Sequence, residues 1–315
     1  MRLAFMGTPD FAVPTLSTLV ESKRHDIAFV ITQPDKPKGR GMHLQSPPVK
    51  ELAQKAGLKV YQPQSLKDNS EVRDLFAASM LDAVIVVAYG KMIPSDMLNV
   101  PRIGFLNVHA SLLPDLRGAS PINRAVMAGY TTTGISIMKI DEGMDSGPVY
   151  MQSSIPINEE DDAVGLSERL SALGAVKVLE ALVLIEDGKM QPVPQDHARA
   201  TYAPMLTKED GAIDWGKDPR TIHNLIRGLV PWPCAYTFLH GKMLKIMKGS
   251  YTIDNHGTQV GTLLKDKSGV RIACNGGYII PEVLHLEGKK AIDAAAFSNG
   301  LKTDRARVGA KQETL

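Results

Sequence analysis

A run of six apolar residues, Ala83-Val-Ile-Val-Val-Ala88, is the feature that most constrains this chain. It is too short for a helix and has no polar face. A strand with apolar side chains on both sides must be covered on both sides, as a central strand of a parallel sheet is. The surroundings agree with that reading. Arg2–Met6, Ile27–Thr32, Lys59–Tyr61 and Ile103–His109 read as further strands. Phe11–Val20, Val49–Gly57, Glu71–Met80 and Pro121–Ala128 read as the helices between them. Strands Thr133–Ile140 and Val149–Ile157 follow, and then a long helix, Ala163 to Glu186, which Asp161 or Asp162 can cap and Asp187-Gly188 can stop. This alternation predicts an α/β fold with a doubly wound, Rossmann-like domain over residues 1–188.

Beyond Glu186 the pattern changes. Residues 189–206 carry three prolines and no period, and read as a linker. Residues 207–315 hold one helix, Pro219–Leu229, and then five short alternating segments: Ala235–His240, Met243–Lys248, Gln259–Leu264, Val270–Cys274 and Tyr278–His285. Turn residues separate the segments, which suggests a small antiparallel barrel. The tail from Thr303 to Leu315 shows no period and is expected to be loosely ordered. Charge divides along the same line. The chain's net charge is +2, but residues 205–315 carry 16 Lys and Arg against 11 Asp and Glu, a net of +5. That excess suits a polyanionic partner, and equally an ordinary solvated surface.

Several classes drop out early. The two cysteines, Cys234 and Cys274, are far apart and form no CxxC, so neither a disulfide scaffold nor a cysteine zinc site is expected. No run reaches the roughly 18 apolar residues of a membrane span, and a charge at Arg2 argues against a signal peptide. The expectation is a cytoplasmic protein with no membrane partner and no metal. Gly7-Thr8-Pro9-Asp10 follows the first strand where a dinucleotide-binding chain would carry GxGxxG, which disfavours a nucleotide-dependent oxidoreductase.

The densest polar cluster is Asn107-Val-His109-Ala-Ser111-Leu112-Leu113-Pro114. Asn107 and His109 are two apart at a strand end and share a face. They lie at the carboxyl edge, where open α/β sheets bind ligands. Asp141-Glu-Gly-Met-Asp145-Ser-Gly147 follows a later strand. An amide can polarise a carbonyl, a histidine can move a proton near neutral pH, and a carboxylate can orient that histidine. Ser111 has no evident base, so direct acyl transfer fits better than a covalent acyl-enzyme. Spacing alone leaves a second reading open, in which these residues only satisfy backbone groups and a turn.

Asn107-x-His109-x-Ser111-Leu112-Leu113-Pro114, then Arg117-Gly118, then Asp141-x-Gly143-x-Asp145-x-Gly147 resembles the folate-dependent formyltransferases. The likeness extends to both inferred domains, through Gly7-Thr8-Pro9-Asp10-Phe11, residues 33–41, Val86 to Gly90, Ile213-Asp214-Trp215 and Pro231-Trp232-Pro233. It implies transfer of the formyl group of 10-formyltetrahydrofolate, through a tetrahedral intermediate, to the α-amino group of methionine on initiator tRNA. Asn107, His109 and Asp145 would be the catalytic set. Asn107 would polarise the formyl oxygen, His109 would assist proton transfer, and Asp145 would orient His109 and help deprotonate the amine. Ser111, Leu112, Leu113 and Pro114 would wall the folate site, with Tyr89 and Gly90 lining the same crevice. The Pro- and Gly-rich loop from Gln33 to Pro48 would meet the tRNA acceptor end through Lys36, Lys38 and above all Arg40. The barrel would be the family's OB-like domain, with Lys242, Lys245 and Lys248 as candidate phosphate contacts, and the protein would act as a monomer.

The sequence departs from the family where a basic residue and an aromatic are usual after Ser-Leu-Leu-Pro. Asp115 and Leu116 stand there, and Ser120 stands where Ala is common. Other readings remain: a formyltransferase acting on a sugar or nucleotide amine, a 10-formyltetrahydrofolate hydrolase, or an RNA-binding module without catalysis.

Overall fold

The computed structural model describes residues 1–38, 43–266 and 269–310. The chain packs as two compact units. The first comprises Met1–Gly118, Thr132–Pro156 and Ser167–Ala203, and the second Ala119–Thr131, Ile157–Leu166 and Pro204–Leu315.

The first unit is built on strands β1 (Arg2–Gly7), β2 (Asp26–Ile31), β5 (Val60–Tyr61), β6 (Ala83–Val87), β7 (Gly104–His109), β8 (Thr132–Lys139) and β9 (Val149–Pro156), with a separate hairpin of β3 (Lys36–Lys38) and β4 (His43–Gln45). The main sheet runs β5-β2-β1-β6-β7-β8-β9. The first five strands in that order are parallel; β8 runs antiparallel to β7, and β9 antiparallel to β8. The chain steps outward from β1 to β2 and β5, then crosses back over β1 to β6. Direction therefore reverses between β1 and β6, and the carboxyl ends there open a crevice. As the apolar run requires, all five residues of β6 are buried. Helices α1 (Val13–Ser22), α2 (Pro48–Lys55) and α3 (Ser70–Ala78) join the parallel strands. Asn69 caps α3 by accepting from Val72 N at 3.1 Å. Phe76 of α3 packs on Phe29 and Phe105 of the sheet, with ring centroids 5.3 and 5.8 Å apart. Burial of each such ring contributes roughly 1.5–3 kcal/mol, which anchors the helix to the strands that carry the site.

The remaining helices are α4 (Pro121–Met127), α5 (Ala163–Glu186), α6 (Pro219–Gly228) and α7 (Ala294–Asn299). In the second unit α4 is fastened to the C-terminal part of the chain. Asn123 Nδ2 donates to Gly228 O at 2.8 Å, and Arg124 forks onto Asp210 at 2.9 and 3.0 Å. The unit's strands are β10 (Ala235–Leu239), β11 (Lys242–Ile253), β12 (Thr262–Asp266), β13 (Gly269–Cys274), β14 (Gly277–Leu286), β15 (Ile292–Asp293) and β16 (Arg305–Gly309). Their order is β11-β10-β16-β12-β13-β14-β15, and β11 also pairs with β14. That extra pairing closes a six-stranded antiparallel barrel, as closure is the way such sheets remove their edges.

Two sequence expectations need correction. The tail is not loose throughout: β16 is a barrel strand lying between β10 and β12. Ala306 and Val308 point into the core while Arg305 and Arg307 face out. Two small apolar side chains between arginines give too weak an alternation to read as a strand. The 33–48 segment is not wholly a loop, because Lys36 pairs with Gln45 and Pro37 with Leu44. Strands of three residues are too short to show a period.

Candidate active site

Asn107 and His109 close strand β7. Neighbouring β6 and β8 fix its register, with Asn107 opposite Val86 and Met138 and His109 opposite Ser136. Both side chains stand at the carboxyl edge of the sheet. Asp145 arrives from the turn between β8 and β9, with its backbone in the left-handed region at φ 48°. The three residues meet. Asn107 Nδ2 donates to Asp145 Oδ1 at a long 3.4 Å, and His109 Nδ1 lies 3.6 Å from Asp145 Oδ2. Asp145 Oδ2 also accepts from Gly118 N at 2.8 Å.

The other nitrogen of His109 is 3.0 Å from Leu116 O. A carbonyl only accepts, so Nε2 carries a hydrogen and Nδ1 is the nitrogen that exchanges a proton. The His109 ring is 6% exposed, Asp145 is 20% exposed, and Asn107 is half-buried. The imidazole is thus shielded from solvent while the site stays open on the Asn107 and Asp145 side. Shielding strengthens the polar contacts the ring makes.

The Ser111–Pro114 loop is pinned from below. Ser136 Oγ donates to Ser111 O at 2.7 Å and accepts from Leu113 N at 3.0 Å. Gln152 Nε2 donates to Leu113 O at 2.8 Å. Ser111 is buried and donates its hydroxyl to Asp115 O, while Leu112 and Pro114 are half-buried and Leu113 is buried. At the sheet reversal, Tyr89 O accepts from Thr8 Oγ1 at 3.2 Å and from Gln33 Nε2 at 2.8 Å, stitching the loops after β1, β2 and β6. The Tyr89 ring does not face the crevice. Ala88 takes a left-handed backbone, φ 45°, and the next side chain turns into the core beside Phe29, Phe76 and Phe105. Burial pushes its hydroxyl pKa up to about 12, and the hydroxyl has no partner among the described residues. Gly90 is exposed at φ 78°, and a Cβ there would come within 2.6 Å of Gln33 Nε2.

The basic loop residues are only partly described. Lys36 is exposed and donates to Gln33 Oε1 at 2.8 Å. Lys38 contributes backbone to the hairpin, and Arg40 lies outside the described residues. In the barrel Lys245 Nζ donates to Pro233 O at 3.0 Å and Lys248 pairs with Glu282 at 2.9 Å.

The sequence showed Arg117 as a motif residue, but its partners were missed. Arg117 is buried and forks onto Gln195 Oε1 at 3.1 and 2.7 Å, and it donates to His197 Nδ1 at 3.1 Å. Gln195 Nε2 in turn donates to Asp145 O at 2.8 Å and Gly147 O at 2.7 Å. Thr201 Oγ1 accepts from Leu116 N at 2.8 Å. Gln195 and Thr201 belong to the stretch that reads as a linker. Their partners are some 50 to 85 residues away, and no local period signals such a contact.

Residues 1–182 match the family described as formyl transferase, and residues 205–302 match its C-terminal domain. A protein named methionyl-tRNA formyltransferase from Geotalea uraniireducens is 45% identical over 302 residues, 96% of this chain and 96% of its own length. Among solved structures, an N-formyltransferase from Helicobacter canadensis in complex with folinic acid and dTDP-3-aminofucose superposes with a TM-score of 0.65 at 18% identity, covering 89% of this chain and 98% of that one. HypX from Aquifex aeolicus in complex with tetrahydrofolic acid gives 0.63 at 17% identity, covering 97% of this chain, which spans 50% of HypX. At those identities the two structures establish a shared fold. The two matched models and the relative aligned over nearly the whole chain identify this protein as a member of the formyl transferase family.

Proposed function

We propose that the chain transfers the formyl group of 10-formyltetrahydrofolate to the α-amino group of methionyl initiator tRNA, for translation initiation. The relative from Geotalea uraniireducens supports this choice of acceptor, because its name states methionyl-tRNA and the likeness runs through both domains. The observation that carries the chemistry is the convergence of Asn107, His109 and Asp145 at one strand end. The donor set suits a formyl carrier. Asn107 Nδ2 spends only a long 3.4 Å bond on Asp145, so it retains an amide N–H for a carbonyl oxygen.

The residues then divide the work. Asn107 donates to the formyl oxygen and stabilises the negative charge that grows there as the amine attacks. An α-amino group has a pKa of about 7.7–8, so a proton must leave it for nitrogen to attack. Asp145 receives that proton directly or through a water; the second proton, shed by the attacking nitrogen as the new bond forms, is relayed by His109 Nδ1 to the departing nitrogen of the carrier. The new bond is amine nitrogen to formyl carbon; the bond that breaks joins that carbon to the carrier nitrogen. Leu116 keeps His109 in one tautomer throughout. Ser111 to Pro114, with Gly90, form the wall against which the folate lies. Arg40, Lys36, Lys38 and the barrel take the RNA. Residues 1–188 serve catalysis and residues 207–315 serve tRNA binding. The protein works in the cytoplasm as a monomer.

The test is a formylation assay with charged initiator tRNA, charged elongator tRNA and free methionine. Transfer to the initiator alone is expected. No transfer to any of the three, with folate still bound, overturns the acceptor and directs the search to sugar amines or water.

A further inference from the structure

The chain from Lys189 to Leu206 does more than connect. We propose that it is a positioning strap for His109, holding both partners of the imidazole at once. The proposal rests on His109 and Asp145 acting as described above.

Leu116 and Asp145 both sit in left-handed backbone, at φ 58° and 48°. For residues other than glycine that conformation is strained and persists only where the surroundings enforce it. The strap supplies the enforcement on each side. On the Nε2 side, Thr201 Oγ1 accepts from Leu116 N at 2.8 Å and Thr201 O accepts from Arg117 N at 2.9 Å. Ala203 N donates to Arg117 O at 2.7 Å, completing a short parallel bridge. On the Nδ1 side, Gln195 Nε2 holds two carbonyls of the catalytic turn, Asp145 O at 2.8 Å and Gly147 O at 2.7 Å. The orientation of that amide is settled by its other end. Arg117 can only donate, so Oε1 faces the guanidinium and both N–H groups face the turn. Gln195 is 9% exposed and Arg117 is 4% exposed, so neither bond is readily replaced by water.

This arrangement separates positioning from packing. In a Gln195→Glu variant the carboxylate pairs with buried Arg117, which preserves or strengthens the link to Arg117. Its second oxygen then faces two carbonyls with no hydrogen to give, and Asp145 loses its hold. A residue needed only to neutralise or pack Arg117 is rescued by Glu; a residue needed to hold the turn is not.

The experiment is steady-state kinetics and thermal melting of the full chain carrying Gln195→Glu, Thr201→Val, Thr201→Ser, Asp145→Asn, or Gln195→Glu with Asp145→Asn. Gln195→Glu is expected to melt near the parent, to lose about 10- to 100-fold in kcat, and to keep KM for both substrates within about twofold. Thr201→Val lowers kcat and Thr201→Ser restores it, which carries the test if Gln195→Glu does not fold. Added to Asp145→Asn, Gln195→Glu causes little further loss, because it acts through Asp145. Parental kcat in both Gln195→Glu and Thr201→Val overturns the strap, as does a full multiplicative loss in the double variant. Full turnover by Asp145→Asn overturns the reading of the site and removes the strap with it.

Discussion

Leu116 and Asp145 bracket one imidazole. The carbonyl of the first accepts from His109 Nε2 at 3.0 Å, and the carboxylate of the second lies 3.6 Å from Nδ1. Leu116 stands in the stretch where the sequence departs from the family pattern, so the departure replaces a side chain whose backbone does the holding.

Gly118 links these two sides. It donates its N–H to Asp145 Oδ2, at φ 118°, and a Cβ would lie 2.8 Å from Ala203 O. Gly118→Ala is therefore expected to destabilise the protein by about 1–3 kcal/mol and to lower kcat by tenfold or more, since backbone strain and a displaced Asp145 act together. Thermal melting and single-turnover rates measure the two effects. An alanine variant with parental stability and rate contradicts the geometry.

Asp210 gives the second unit an acid-sensitive tie. Hydrogen bonds from Arg124 are the largest cause holding its carboxyl below the usual carboxylate range. A depressed carboxyl contributes stability that is complete above its unfolded pKa, near 3.8, and that fades as pH falls through the lower folded value. Asp210→Asn is expected to cost about 1–2 kcal/mol at pH 7, with the gap to the parent closing below pH 3.8. Denaturant titrations at several pH values test this. A gap that persists in acid contradicts it.

Buried His25 and half-buried His223 set a milder dependence. Burial is the main cause lowering the pKa of His25 in the first unit and His223 in the second, and each has a ring nitrogen without a hydrogen-bond partner among the described residues. Each unit is thus most stable with its histidine neutral. That contribution is present above pH 6.5, the unfolded value, and is lost as pH falls toward the lower folded one. His223→Phe is expected to flatten the loss of stability between pH 7.5 and pH 5, read from urea midpoints.

The net +5 of residues 205–315 makes a kinetic prediction under the proposed function. KM for charged tRNA is expected to rise with salt, with a log–log slope of roughly 0.7–0.9 per phosphate contact, while KM for the folate changes little. A flat KM for the acceptor favours a small amine substrate instead.

The sheet was legible because the Ala83–Ala88 run and its neighbours carry unambiguous periods, and the barrel because turn residues divide its strands. Asn107, His109 and Asp145 were legible as a motif, and the structure brings them together. The hidden parts have two causes. Gln195, Thr201 and the strand Arg305–Gly309 work through partners far away in sequence, and the Tyr89 ring turns inward because of one left-handed residue before it. Neither leaves a periodic trace in the residues around it.

Under the proposed function, Asp145 acts with His109 in formyl transfer and not in tRNA binding. The most direct measurement is the single-turnover rate of Asp145→Asn with saturating 10-formyltetrahydrofolate and charged initiator tRNA, beside the Kd for that tRNA. The rate is expected to fall by about 10²–10⁴ with Kd changed less than threefold. A parental rate, or a loss that lies wholly in Kd, contradicts it.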